Sequence, residues 1–245
     1  MIAGTVAFMA GIPLQFTAHY RSALMMVAHT AEWLARQGKE LQVAFPQTTD
    51  HAQARNKIAA DADGEWVFMT DCDHTFEPDI VQRLVSTMEA ADPPMDVLSG
   101  LYFQRGGHLP VAYAFSQEQQ LWQQVVDYPT AGPFQVGGVG GGALLVHLNV
   151  FERIERELSE RPFDNVYLDT PAGRRWIMED LSFSSRCLRL GIPMWCDPRV
   201  VSRHLDLLEI GEAEYRLARA ALPVEDTAEF TTEALVPMEP SERAG

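Results

Sequence analysis

The chain has 245 residues, 47% of them hydrophobic and 22% charged, enough to bury one full α/β core. Its 19 Lys and Arg face 34 Asp and Glu, and the net charge of −15 excludes a broad nucleic-acid or anionic-membrane surface. Three cysteines, Cys72, Cys187 and Cys196, have no paired metal spacing and are odd in number, so they read as buried thiols of a reducing compartment.

No run approaches the ~18 apolar residues that span a bilayer, and the short apolar N-terminal stretch lacks a charged segment before it. A cytoplasmic protein without a transmembrane segment is the expectation. Part of the acidic excess lies after His204, where nine carboxylates from Glu209 to Glu242 face Arg216, Arg219 and Arg243.

Thr5 to Met9 is a short apolar run closed by Gly11 and Pro13, which reads as a buried strand. Tyr20, Leu24, Val27, Ala28, Ala31 and Leu34 recur at helical spacing over residues 17–37, with Gly38 as the stop. Leu41 to Phe45 is a second strand. Thr49 or Asp50 caps a helix through Ala52, Ile58 and Ala60, and Asp63-Gly64 turns the chain into a third strand at residues 65–70. This β-α-β-α-β order predicts a mainly parallel sheet flanked by helices, with ligands beyond the carboxyl ends of its strands.

Further on, Pro78 opens a helix to about Ala91, and residues 96–103 form another strand. Short aromatic β pieces at 111–115 and 121–126 predict a smaller antiparallel part. The glycine run 137–142 leads into an apolar strand, 143–146, and a helix from Asn149 to Leu158. Residues 180–190 are helical, and 193–196 and 200–201 are closing strands. Residues 1–208 are expected to form one catalytic domain, and 209–245 an acidic C-terminal helix with a mobile tail.

Asp71-Cys72-Asp73 lies where the third strand emerges, and two carboxylates that close suit a hard divalent cation holding a diphosphate. Asp71-Cys72-Asp73-His74-Thr75 also matches the nucleophile motif of haloacid-dehalogenase-type phosphatases, with Asp71 as nucleophile, but that motif normally sits on a first strand. A structural Asp turn is the plain alternative. Glu179-Asp180 opens a helix, where carboxylates commonly complement the helix dipole; beside a bound diphosphate they are placed to take a proton from a hydroxyl. His204 alone reads as a surface or core histidine, and its position after a closing strand makes it a ligand candidate. The glycine run has no Lys-Ser/Thr after it, so it is not a Walker loop; it lets backbone pass close to a ligand or a strand.

Ala54-Arg55-Asn56-Lys57-Ile58-Ala59, Trp66 to Asp73, Val139 to Val146 and Glu179-Asp180-Leu181-Ser182-Phe183, followed by Gly191 to Pro198 and His204, together resemble the GT-A glycosyltransferases, particularly bacterial and phage members similar to family 2. The resemblance implies a Rossmann-like domain that moves a sugar from a nucleoside-diphosphate-sugar donor to an acceptor hydroxyl. Asp73 and His204 would bind Mn²⁺ or Mg²⁺, and Asp71 the ribose or the metal. Gly11, Gln47, Arg55 and Asn56 would form the nucleotide pocket, and Arg105 would face the sugar or diphosphate. Asp180 would be the base of an inverting displacement, with Glu179 orienting the acceptor or replacing it. Relatives often carry Thr or a bulkier residue where this chain has Gly140-Gly141-Gly142. A phosphatase, a related nucleotidyltransferase and a non-catalytic sugar-nucleotide or glycan-binding module are the competing readings.

Overall fold

The computed structural model describes residues 1–9, 17–48, 50–206 and 209–221. Strand β1 (Ile2–Met9) leads to helix α1 (Thr17–Ala35), β2 (Glu40–Ala44), α2 (His51–Asp61) and β3 (Trp66–Asp71). A two-residue turn at Cys72-Asp73 gives β4 (His74–Phe76), then α3 (Ile80–Ala90) and β5 (Val97–Leu101) follow. The chain next forms β6 (Ala112–Ser116), β7 (Leu121–Gln124), β8 (Phe134–Val136) and β9 (Gly138–Val139), and a 3₁₀ turn at Gly141–Ala143 leads into β10 (Leu144–His147). After α4 (Asn149–Leu158) come the hairpin β11 (Val166–Thr170) and β12 (Gly173–Ile177), α5 (Glu179–Arg189), β13 (Met194–Leu205), β14 (Glu209–Ile210) and α6 (Glu212–Ala221).

The central sheet has the order β14-β13-β5-β10-β3-β1-β2. Strands β2, β1, β3, β5 and β13 run one way, and β10 and β14 run against them, so the sheet is mainly parallel as its sequence order implies. The antiparallel insertion is a separate three-stranded sheet, β7-β6-β9.

Strand period splits the core in two. Trp66 and Phe68 of β3 point to one face, with Met26 and Leu34 of α1 and Ile80 and Leu84 of α3. Val67 and Met69 point to the other, with Ile58 of α2, Ile154 of α4 and Phe183 of α5. Phe183 stacks on Phe163 with ring centroids 4.8 Å apart.

Asp50 caps α2 by accepting from the Gln53 amide at 2.8 Å; Thr49, the other cap candidate, lies outside the described residues. The buried face of α1 differs from the stripe read in sequence. Ala23, Met26, Thr30 and Leu34 are inside, while Leu24 is 71% and Tyr20 44% exposed. Apolar residues lie on more than one face of the helix, and buried His19 and Thr30 interrupt the inner stripe, so periodicity alone did not fix its rotation. The two closing strands are one twelve-residue strand, because its register with β5 shifts between Asp197 and Val201 and so absorbs Pro198. The exposed hairpin β11–β12 gave no period-2 signal, since neither of its faces is fully buried.

Phe183→Ala removes the ring at the centre of the α4–α5 packing. It should lower unfolding free energy by about 3–5 kcal/mol, read from urea denaturation midpoints.

Candidate functional site

Strands β3 and β1 end together, with Met9 opposite Asp71, and the chain turns there through Asp73 into β4. Strand β4 lies antiparallel to the far half of β13, with His74 directly opposite His204. That pairing stacks the two imidazoles, their centroids 4.5 Å apart and their planes 28° from parallel. The Leu205 amide donates to the Asp73 carbonyl at 2.6 Å and fixes the turn against β13.

The Asp73 carboxylate is nearly buried. Its Oδ2 lies 3.0 Å from His204 Nε2 and 3.0 Å from Arg105 Nη2. Burial opposes its ionisation, but the His204 contact and the Arg105 charge outweigh it and bring the carboxyl down to about 2. His204 Nδ1 donates to the Phe103 carbonyl at 3.1 Å, which leaves Nε2 to face Asp73. A backbone carbonyl behind a ring in this way is the support that metal-binding histidines have. Asp73, His74 and His204 each bring one ligand atom to a common point, all within 4.8 Å of one another. An oxygen and two nitrogens fit a divalent cation, and the buried Nε2 of His74 has no hydrogen-bond partner.

Burial first, and then the His204 charge, lower His74 to about 4, so it is neutral near pH 7. His74 Nδ1 contacts the Ser202 hydroxyl, and His19 Nδ1 donates to the His74 carbonyl at 2.7 Å.

Arg55 of α2 lies on the other side of Asp71 and is 2% exposed. Its Nη2 donates to Asp71 Oδ1 at 2.8 Å and its Nη1 to the Gly141 carbonyl at 3.2 Å, while Nε lies 3.5 Å from Glu179 Oε1. Glu179 also meets His51 Nδ1 at 3.6 Å. Although burial works the other way, His51 and Arg55 lower the Glu179 carboxyl. Its neighbour Asp180 moves in the opposite direction. Burial and the Glu179 charge lift Asp180 to about 6, against the pull of Arg55. Asp180 Oδ1 accepts from the Leu181 amide at 2.7 Å, and the Asp180 charge is felt at Tyr102 and Tyr113.

The glycine run closes over these side chains. A Cβ at Gly140 would lie 2.0 Å from the Tyr102 hydroxyl, one at Gly141 2.0 Å from the Arg55 guanidinium, and one at Gly142 2.6 Å from the His74 ring. Larger residues cannot stand here while those three side chains keep their places.

The expected site residues therefore fall into groups. Asp73, His204 and Arg105 meet at the β3–β4 turn, whereas Asp71, at the end of β3, is taken up by Arg55, which joins it to Glu179. Arg55 is turned inward, so it acts on the site through its carboxylate partners. Asn56 is committed to a neighbouring segment: its amide donates to Asp164 Oδ1 at 2.8 Å and its carbonyl accepts from the Phe163 amide at 2.9 Å. Gln47 is exposed and, with Phe45, Gln53, Asn56 and Lys57, lines a cavity of about 870 Å³ beside α2. Gly11 lies outside the described residues. His51, His74 and Tyr102 were not singled out from sequence. His74 carried a signal in its adjacency to Asp73, whereas His51 and Tyr102 are brought in only by packing.

Residues 31–124 match the family model of glycosyl transferase family 2. No curated protein matches the chain in sequence. Among solved structures, GalNAc-T7 with UDP, GalNAc and Mn²⁺ is 13% identical with a TM-score of 0.53, over 84% of this chain and 44% of that one. The chain thus spans less than half of GalNAc-T7, and the likeness is one of fold. A197 from STIV is 16% identical with a TM-score of 0.49, over 84% of this chain and 86% of that one. The inositol-1-phosphate CTP transferase from T. maritima is 9% identical with a TM-score of 0.46, over 89% and 96%.

Gly141→Ala forces its methyl group onto the Arg55 guanidinium. It should destabilise the fold by about 1–3 kcal/mol in urea unfolding, while an Ala at Gly107, whose only near neighbour is the end of the Gln104 side chain at 3.8 Å, should have little effect.

Proposed function

We propose that this chain, with its family 2 glycosyltransferase match over residues 31–124 and its GT-A fold, is a divalent-cation-dependent glycosyltransferase. It moves a sugar from a nucleoside-diphosphate-sugar donor to an acceptor hydroxyl, with inversion. The observation that carries this reading is the division of the carboxylates. Asp73 is held ionised against His204 and Arg105, and Asp180, raised to about 6, stands beyond Arg55 and Glu179. The pair supplies the two functions the transfer needs, a charged group to hold a cation and a base near neutral pH.

Asp73 and His204, with Asp71 beside them, would hold Mn²⁺ or Mg²⁺. When bound, the cation supplies positive charge against the departing nucleoside diphosphate. The remaining work belongs to the chain. Arg105, 45% exposed, adds a second positive charge at the same end. Asp180 takes the proton of the acceptor hydroxyl at Oδ2, since Oδ1 is held by the Leu181 amide. Glu179, fixed by Arg55 and His51, keeps the proton affinity of Asp180 high and orients the acceptor. Gln47 and Asn56, which line one cavity beside α2, would contact the nucleotide, Arg55 would act on it through Asp71, and Gly11 keeps its nucleotide role on its sequence position alone.

Asp180→Asn should keep donor affinity and lose at least ~10²-fold in turnover. In the native enzyme, turnover should fall about tenfold per pH unit below about 6, as Asp180 takes up its proton. The same substitution should raise the thermal midpoint. The folded state disfavours ionised Asp180, so the gain is full above pH 6, shrinks as pH falls, and vanishes below the unfolded pKa near ~4. Equal losses of binding and turnover would point instead to a structural role.

Thermal shifts with UDP-, GDP-, CDP- and dTDP-sugars, with and without Mn²⁺, test the donor class directly. A Mn²⁺-dependent shift with one of them is expected, and Asp73→Ala should abolish both the shift and transfer. Absence of any shift across the set would sink the reading.

A further inference from the structure

His74 is the side chain at this site that the proposed chemistry leaves unused. It is fully buried, and its neighbours hold the ring in one orientation: Nδ1 against the Ser202 hydroxyl, the Tyr102 ring edge-on at 4.8 Å and the His204 ring stacked at 4.5 Å. Ser202 and His204 lie on the same face of β13, two residues apart, opposite β4. The free ring nitrogen, Nε2, has no hydrogen-bond partner and lies 3.9 Å from Asp73 Oδ1. With Nδ1 against a hydroxyl that can accept its proton, Nε2 is left to present a lone pair. The last glycine of the run is what admits the ring, since a Cβ at Gly142 would lie 2.6 Å from Nε2.

We infer that His74 is a third protein ligand of the cation, completing with Asp73 and His204 a two-histidine, one-carboxylate set that favours a first-row transition cation such as Mn²⁺ or Co²⁺ over Mg²⁺. The inference rests on reading Asp73 and His204 as the cation site. Bonds of about 2.1 Å put ligand atoms roughly 3–4.2 Å apart. The three ligand atoms lie within 4.8 Å of one another, so closure asks for a movement of about half an ångström. Two imidazoles bound side by side on one ion place their ring centres roughly 4.5 Å apart, the separation found between His74 and His204. Mg²⁺ prefers oxygen ligands and keeps its waters, whereas imidazole nitrogen suits transition ions. Three protein donors leave the other positions of a six-coordinate ion open to diphosphate oxygens.

The decisive measurement is pulsed EPR of Mn²⁺ on the full chain, alone and with inorganic pyrophosphate, counting ¹⁴N couplings. Two imidazole nitrogens are expected in the native protein and one in His74→Gln. By calorimetric titration His74→Gln should weaken Mn²⁺ at least tenfold and change Mg²⁺ less than twofold. A single coupled imidazole in the native protein overturns the inference while leaving the cation site standing, and this holds even if the variant does not fold. Failure of Mn²⁺ to bind at all overturns the cation-site reading itself.

Discussion

The buried guanidinium of Arg55 stands between Asp71 at the end of β3, Glu179 at the start of α5 and the carbonyl of Gly141, joining three segments distant in sequence. Four carboxylates, those of Asp71, Asp73, Glu179 and Asp180, converge at one edge of a chain already carrying −15. Without a fixed positive charge among them, desolvation and mutual repulsion would favour protonation or opening of the cleft. Arg55 is bonded to Asp71 and close to Glu179, and Asp180 receives only part of its field. Uneven compensation, by His204 and Arg105 at Asp73 and only partly by Arg55 at Asp180, is what allows one site to hold a strongly ionised carboxylate and a weakly acidic one together.

The glycine run is the packing counterpart of that electrostatic constraint. An arginine, a tyrosine and a histidine, each buried, press against three successive backbone positions that carry no side chain. The run bends into the 3₁₀ turn and then enters the sheet as β10, between β3 and β5. The reversed strand at the sheet's centre thus brings the floor of the site up against Arg55 and His74. Substitutions in this run act on the site by displacing those side chains.

Much of the fold was legible because its strands are apolar runs bounded by Gly, Pro and Asp, and α4 begins and ends where its sequence pattern places it. The rotation of α1 was not, because a helix with Leu24 and Met25 exposed has no clean polar face. The continuity of β13 was hidden by Pro198, which a register shift accommodates. In the site, residues carrying a local pattern were visible: Asp71 and Asp73 at a strand end, Glu179 and Asp180 at a helix start. The inward turn of Arg55, the engagement of Asn56 with Asp164 and the stacking of His74 on His204 are all tertiary. No spacing in the sequence announces them.

Strand β13 changes partners midway, from β5 and β8 near Met194 to β4 and β14 near His204, without a break in the chain's extended path. One end is sealed in the core and the other forms a wall of the site. A ligand that holds His204 therefore restrains the same cooperative unit that contains Met194 and Cys196. Amide hydrogen exchange along β13 would then slow over its whole length when the site is filled, so that occupancy is felt by the sheet as a body and not only by the loops around it.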